Sequence, residues 1–240
     1  MKKSYFSLGF FFALGLIVST MILTGTYKET RSVNTITVKG YAEKAIVSDK
    51  ANWTAKVQVI GVDLGGTVAQ LKMNMDRVKS YLRNYGIAMD EIDIYPVNTR
   101  YQYETNQNGY NTNTIIGTIA SQSIEVTSSD VEIIKNVSVD IASLIQEGID
   151  IESYSPRYDF TGLNDMKMEL LGIATENAYE RAKVIAENGD SDVGTLKYAS
   201  QGVFQITSSG SNEVSDYGIV DQSSINKLAK AVVTAEFAID

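Results

Sequence analysis

The chain has 240 residues, 21 Lys and Arg against 29 Asp and Glu for a formal charge of −8, and neither Cys nor His. That composition excludes disulfides, thiolate nucleophiles, Cys/His zinc centres and any Ser-His-Asp triad, leaving carboxylate, Lys, Tyr and hydroxyl chemistry. The acidic balance also argues against nucleic acid as a partner and against a basic patch on an anionic membrane.

Lys2 and Lys3 precede an apolar run from Phe6 to Leu23, 18 residues without a charge. At about 1.5 Å per residue such a helix spans roughly 27 Å, close to the ~30 Å hydrocarbon core of a bilayer. The expectation is therefore a transmembrane helix within residues 1–25, with Phe6, Phe10, Phe11, Phe12, Leu14, Leu16, Ile17, Val18, Ile22 and Leu23 against lipid, then a tether over 26–34. A cleaved secretory signal is the rival reading. The run exceeds the usual signal core of about 7–15 residues, and its exit from Ser19 to Thr26 carries no Ala-x-Ala, which favours the anchor. Either way the rest of the chain lies outside the cytoplasm. The anchored form is a single-pass protein of the inner (plasma) membrane with its domain in the periplasm or cell exterior.

After the tether, Thr35 to Gly40 alternates β-branched residues with others and reads as a strand. A second run, Ala51 to Gly61, follows a turn at Ser48-Asp49, so the two are expected to form a hairpin. Gly65-Gly66 breaks the pattern. Val68, Leu71, Met75, Val78, Leu82 and Tyr85 then recur at helical spacing up to Gly86. Ser129 to Glu132 matches a capping box, opening a helix through Ile134, Val137, Ile141, Leu144 and Ile145 before Gly148. A third helix spans about 164–188, with Met166, Leu170, Ile173, Ala174, Ala178, Ala182 and Ile185 on its inner face and Glu176, Glu180, Lys183 and Glu187 outside.

Ile92-Asp93-Ile94 through Arg100-Tyr101 can be set beside Ile149-Asp150-Ile151 through Arg157-Tyr158, which suggests an internal repeat of helix plus strand. Further strands are expected over 114–126, 194–207 and 228–239, with a Ser, Gly, Asn and Asp-rich loop over 208–223.

Several motifs in this order resemble the SIMPL-domain family: Ile36-Thr37-Val38-Lys39-Gly40, the Ser48-Asp49 turn, the helix end Tyr85-Gly86-Ile87, Ile92-Asp93-Ile94, Tyr101-x-Tyr103 before a long hairpin, and the Ala-rich helix from Ala174 to Gly189. The family includes bacterial periplasmic and outer-membrane immunogenic proteins. The resemblance implies an α+β domain, here over residues 35–240 with the 208–223 segment read from its composition as a flexible loop, and ring-like assembly in some members. It also implies a link to envelope or oxidative stress, and no established enzymatic activity. The expected architecture is thus an N-terminal transmembrane helix followed by a mixed, mainly antiparallel sheet packed with three amphipathic helices.

Local candidates for chemistry have simple alternatives. Asp90, Glu91 and Asp93 lack the spaced ladder of a calcium loop and read as a solvated turn. Lys56 and Lys167 act as nucleophiles only if desolvated. A hydrolase using two carboxylates requires a buried pair about 5–10 Å apart, which no sequence displays. The most suggestive exposed feature is the hairpin carrying Tyr101 and Tyr103 on one strand face and Tyr110 beyond the tip Asn106 to Gly109, because tyrosines combine large contact area with low entropy cost. These three are the candidate interface residues; no catalytic, cofactor-binding or metal-binding residue is assigned. The resulting expectation is a non-enzymatic, membrane-anchored envelope protein that forms a ring-like homo-oligomer, with the lipid bilayer as a partner. A soluble periplasmic module that binds a small molecule or client protein after signal cleavage is the alternative.

Overall fold

In the computed structural model, which describes residues 14–22, 24, 34–211, 213 and 215–239, strands form where the sequence alternates and helices where it repeats every three to four residues. In chain order the elements are β1 (Thr35–Val47), β2 (Lys50–Gly61), α1 (Leu64–Asn84), β3 (Ile92–Ile94), β4 (Asn98–Thr105), β5 (Asn111–Ser128), α2 (Val131–Asp140) and α3 (Ala142–Gln146). They continue with β6 (Asp150–Ser153), β7 (Arg157–Asp159), α4 (Leu163–Glu187), β8 (Val193–Gln201), β9 (Gln205–Ser208), β10 (Ile219–Val220) and β11 (Asn226–Ile239). The chain divides into two compact units.

The larger unit, Glu43–Lys167 with Phe204–Lys230, is built on a six-stranded sheet. At its centre β2 and β5 pair antiparallel from Ala51–Ser128 to Gly61–Thr118. β3 and β4 pair with the far side of β5, and β6 and β7 with the far side of β2, all antiparallel. β2 and β3 are therefore parallel to each other, and so are β5 and β6. Parallel strands in one sheet need a crossover connection, which α1 supplies in the first case and α2 with α3 in the second. The order β3-β5-β2-β6 is the split β-α-β arrangement of ferredoxin-like sheets. The internal repeat read from Ile92–Tyr101 and Ile149–Tyr158 is its sequence trace.

One face of this sheet makes the core. Ala51, Trp53, Ala55 and Val57 of β2 and Ala120, Ile124 and Val126 of β5 lie under Leu71, Met75, Val78 and Leu82 of α1, Ile134 and Val137 of α2, and Leu144 of α3. Each such Leu, Ile or Val contributes roughly 1.5–3 kcal/mol by leaving water. Two helix ends are closed by left-handed glycines, Gly86 and Gly148, each followed by an N–H reaching back to the last turn: Ile87 to Leu82 O at 3.2 Å and Ile149 to Leu144 O at 3.0 Å.

The structure corrects several expectations. β1 and β2 form no hairpin: β1 pairs with β11 and β2 with β5. The Ser48-Asp49 link is tied elsewhere, Ser48 N–H to Ile225 O and the Asp49 carboxylate to the N–H and hydroxyl of Thr161. α1 starts at Leu64, ahead of the glycines, because Asp63 caps it by accepting from Gly66 N–H at 2.9 Å. Asp130 rather than Ser129 caps α2, accepting from Ile133 N–H at 3.0 Å. The single helix expected through Ile145 is broken at Ile141 into α2 and α3, so four helices follow β1 instead of three.

Among the described residues, the transmembrane helix expected at the start of the fold is not found. Residues 14–22 are helical, about 13 Å at the standard rise, and among the described residues no helix is long and apolar enough to cross a membrane. Leu14, Leu16, Ile17, Val18 and Ile22 lie among these helical residues; Phe6, Phe10, Phe11, Phe12 and Leu23 lie outside the described residues.

The smaller unit takes residues up to Ala42, Met168–Val203 and the chain from Ala231 on. In it β11 pairs with β1 and, from Val233, antiparallel with β8. α4 buries Leu170, Ala174, Ala178, Ala182 and Ala186, one residue in four along a single ridge. Small side chains let strand and helix meet closely at Gly40, where an added Cβ would stand 1.9 Å from Ala174 O. Ile173 and Ile185, expected inside, are exposed, because the ridge of alanines and not the wider apolar stripe faces the strands. α4 ends at Glu187, and Asp190 beyond it lies in the left-handed region at φ 55°.

Candidate functional site

The β4–β5 hairpin of the larger unit has every residue of β4 exposed. Its tip is organised by Asn106, whose side-chain oxygen accepts from the N–H groups of Asn108 and Tyr110, each at 3.0 Å. Gly109 N–H donates to Asn106 O at 2.9 Å, and only Gly109 of the tip is left-handed, at φ +81°. This is an ordinary turn closed by a glycine bulge, not the two-residue mirror-image turn that Asn-Gly suggests.

Tyr101 stands opposite Thr118 and Tyr103 opposite Ile115, with an irregularity between Gln102 and Tyr103. Thr118 is buried in register with Ala120 and Ile124, so the two tyrosines lie on the helix-covered face, continued past the helices. Tyr101 is 52% exposed and Tyr110 72%, and Ile115 and Ile116 are exposed beside them. The structure thus brings Tyr101 and Tyr103 together on one face and sets Tyr110 apart past the tip.

On the opposite face of the sheet, Glu125 accepts from Tyr95 hydroxyl at 2.5 Å and from Asn52, whose amide also donates to Thr127 at 3.0 Å. The Tyr95 and Asn52 hydrogen bonds hold the Glu125 carboxyl below the usual carboxylate range, against its partial burial and with help from Arg157. Every acceptor position named here is engaged, so the cluster organises strands rather than offering a free base.

A third polar locus was not legible in the sequence. Lys227, 2% exposed, donates from Nζ to Tyr158 O and Asp221 O, both at 2.5 Å. Burial pushes its pKa down, against the pull of Asp221 and Asp159. Asp221 in turn accepts from Ser223 and Ser224, and these bonds hold its carboxyl low despite burial. A cavity of about 500 Å³ opens beside it, lined by Glu132, Lys135, Ser208, Ser223 and Asn226 among others. A lysine in a strand carries no signal of burial, which depends on carbonyls far away in sequence.

The remaining candidates have structural duties. Glu91 caps its own turn by accepting from Ala88 N–H at 3.0 Å and takes a 2.6 Å hydrogen bond from Ser128. Lys167 lies over the Phe204 ring at 5.7 Å, and Lys56 sits on the polar sheet face opposite Glu152. Among the described residues no Asp or Glu is buried, and no three lie together to hold a metal ion.

A comparison with curated proteins finds no match. The family described as SIMPL, protein of unknown function (DUF541), matches residues 36–236, from the first strand to the last. Because that span covers well over half of the chain, the chain belongs to the SIMPL family.

Proposed function

We propose that this protein is a non-enzymatic component of the cell envelope that assembles with copies of itself into a ring. In this reading the apolar run from Phe6 to Leu23 tethers it at the inner membrane, its folded part works on the outer side, and it serves the envelope under stress. The observation that carries the reading is the β4–β5 hairpin, which exposes Tyr101, Tyr103, Tyr110, Ile115 and Ile116 on an arm with no covering layer. An isolated two-stranded arm is marginal in water, so a partner stabilises it as well as binding it. Tethering raises local concentration, which makes weak contacts between domains effective.

Light scattering coupled to gel filtration, on full-length protein gently extracted from membranes, tests this directly, followed by negative-stain imaging. A large uniform ring that requires detergent supports the reading. A detergent-free monomer removes it and favours the second one, a periplasmic module that binds a small ligand or client. That alternative draws on the serine-rich cavity of about 500 Å³ next to Lys227. Native mass spectrometry of the monomer would then display a bound ligand or remove that reading too.

A further inference from the structure

In the smaller unit, among the described residues, β1 pairs on one side alone, with β11. Ile239 N–H donates to Asn34 O at 2.8 Å, which sets the parity of the strand. Backbone groups at Asn34 and every second residue after it point to β11; those of Thr35, Thr37, Lys39 and Tyr41 point off the sheet. Part of this outward row is closed by α4. Tyr41 N–H donates to the Asn177 side-chain oxygen at 3.0 Å, and Arg181 Nη1 donates to Lys39 O at 3.1 Å. Capping an edge with helix side chains is a standard protection against stray strand pairing. Here it ends at Lys39, and the outward groups of Thr35 and Thr37 lie beyond it. Beside them opens a groove of about 490 Å³ with Val38, Val184 and Ile185 as its apolar wall and Lys39, Glu180 and Arg181 around it. Val184 and Ile185 are exposed on a helix that buries alanines instead.

We propose that this edge and groove receive strand β4 of a second copy of the chain, an inference that rests on the self-assembly reading above. The two strands match on both faces. Gly40 points at α4, so Val38, of the same parity, faces the groove while Thr37 and Lys39 face away. β4 carries Tyr101 and Tyr103 on one face and Arg100, Gln102 and Glu104 on the other. Laid along β1, its tyrosines cover Val184 and Ile185 beside the buried Val38, and Glu104 comes beside Lys39. The other strands fit less well. β3, β6, β7, β9 and β10 have two to four residues each, and β8, though nine residues long, brings Lys197 as its only charge against Lys39 and Arg181. Main-chain pairing gives such a contact its affinity and the alternate side chains its selectivity. Because β1 and β4 are different surfaces, the contact is heterologous, the kind that closes into rings when the rotation permits.

The chain has no cysteine, so single cysteines report contacts cleanly. Full-length Thr37→Cys is mixed in detergent with Gln102→Cys or with Glu104→Cys and treated with a short bis-maleimide; all three positions are exposed. The expected result is a crosslinked dimer in at least one mixture and none in any single variant, with Lys39→Glu weakening assembly about fivefold and Lys39→Glu paired with Glu104→Lys restoring it. An oligomer that forms without the mixed crosslink overturns the β1–β4 pairing and leaves self-assembly standing. Absence of any oligomer removes the reading beneath it. A crosslink that forms only after deletion of residues 1–33 overturns the proposal as well, because the chain's own N-terminal segment then fills the groove in the intact protein.

Discussion

Tyr101 and Tyr158 occupy equivalent places in the two halves of the larger unit, yet one is 52% exposed and the other 6%. Tyr101 faces Thr118, six residues before the partner of Ile94; Tyr158 faces Ala51, six residues before the partner of Ile151. What separates them is the segment around Gln222–Lys227, whose Gln222 O accepts from Tyr158 N–H at 2.8 Å and whose Lys227 donates to Tyr158 O. Among the described residues, no segment of the larger unit does the same for Tyr101.

Removing the two tyrosine rings should therefore have opposite consequences. Tyr158→Ser is expected to cost about 3 kcal/mol or more in urea unfolding, since a buried aromatic leaves a cavity. Tyr101→Ser with Tyr103→Ser is expected to leave the unfolding midpoint unchanged while weakening self-association at least roughly tenfold in sedimentation velocity. Trp53, fully buried in the same core, supplies the fluorescence signal for the first measurement.

Two glycines of the smaller unit should also respond in opposite directions. Gly40→Ala would place a methyl 1.9 Å from Ala174 O and 2.6 Å from Ala178 N, both backbone atoms of α4, and is expected to destabilise by about 3 kcal/mol. Gly172→Ala meets nothing within 4 Å and lies inside α4, so it is expected to stabilise by about 0.5–1 kcal/mol. Thermal melts followed by circular dichroism compare the two.

Lys227→Met keeps the length of the side chain and deletes two hydrogen bonds to otherwise buried carbonyls. A loss of about 2–3 kcal/mol is expected at pH 7. Burial lowers the lysine's folded pKa, so at neutral pH the folded state carries a charging penalty that fades as pH rises from that lowered value to the ordinary lysine range. The wild-type advantage over Lys227→Met should grow across that alkaline window, read from urea midpoints at stepped pH.

Glu125 titrates in the other direction. Its folded pKa is depressed, first by the Tyr95 hydrogen bond, so its contribution is fully present above the unfolded carboxylate range and is lost as pH falls through the lowered folded value. Tyr95→Phe is expected to be less stable than wild type at pH 7, with the gap narrowing as pH drops below about 4. An unchanged gap at every pH would assign the effect to packing alone.

Much of this was legible in order along the chain. Alternation over Ala51–Val59 and the three-four spacing of Leu71, Met75, Val78 and Leu82 depend on local periodicity, and they placed β2 and α1 because one face of each must leave water. The resemblance between Ile92–Tyr101 and Ile149–Tyr158 survived as a real structural repeat because both halves solve the same packing problem against β2 and β5. Composition alone removed thiol, imidazole and disulfide chemistry. The tertiary structure decided the rest. Whether β1 would turn back on β2 depended on β11, some 180 residues later, which offers β1 its hydrogen bonds. The break at Ile141, the exposure of Ile185 and the burial of Lys227 likewise depend on which surfaces approach one another. Local propensity cannot encode that approach, because a side chain's environment is made by residues distant in sequence. The clearest case is Tyr101 and Tyr158: both end an Ile-Asp-Ile to Arg-Tyr segment, yet one is covered and one open.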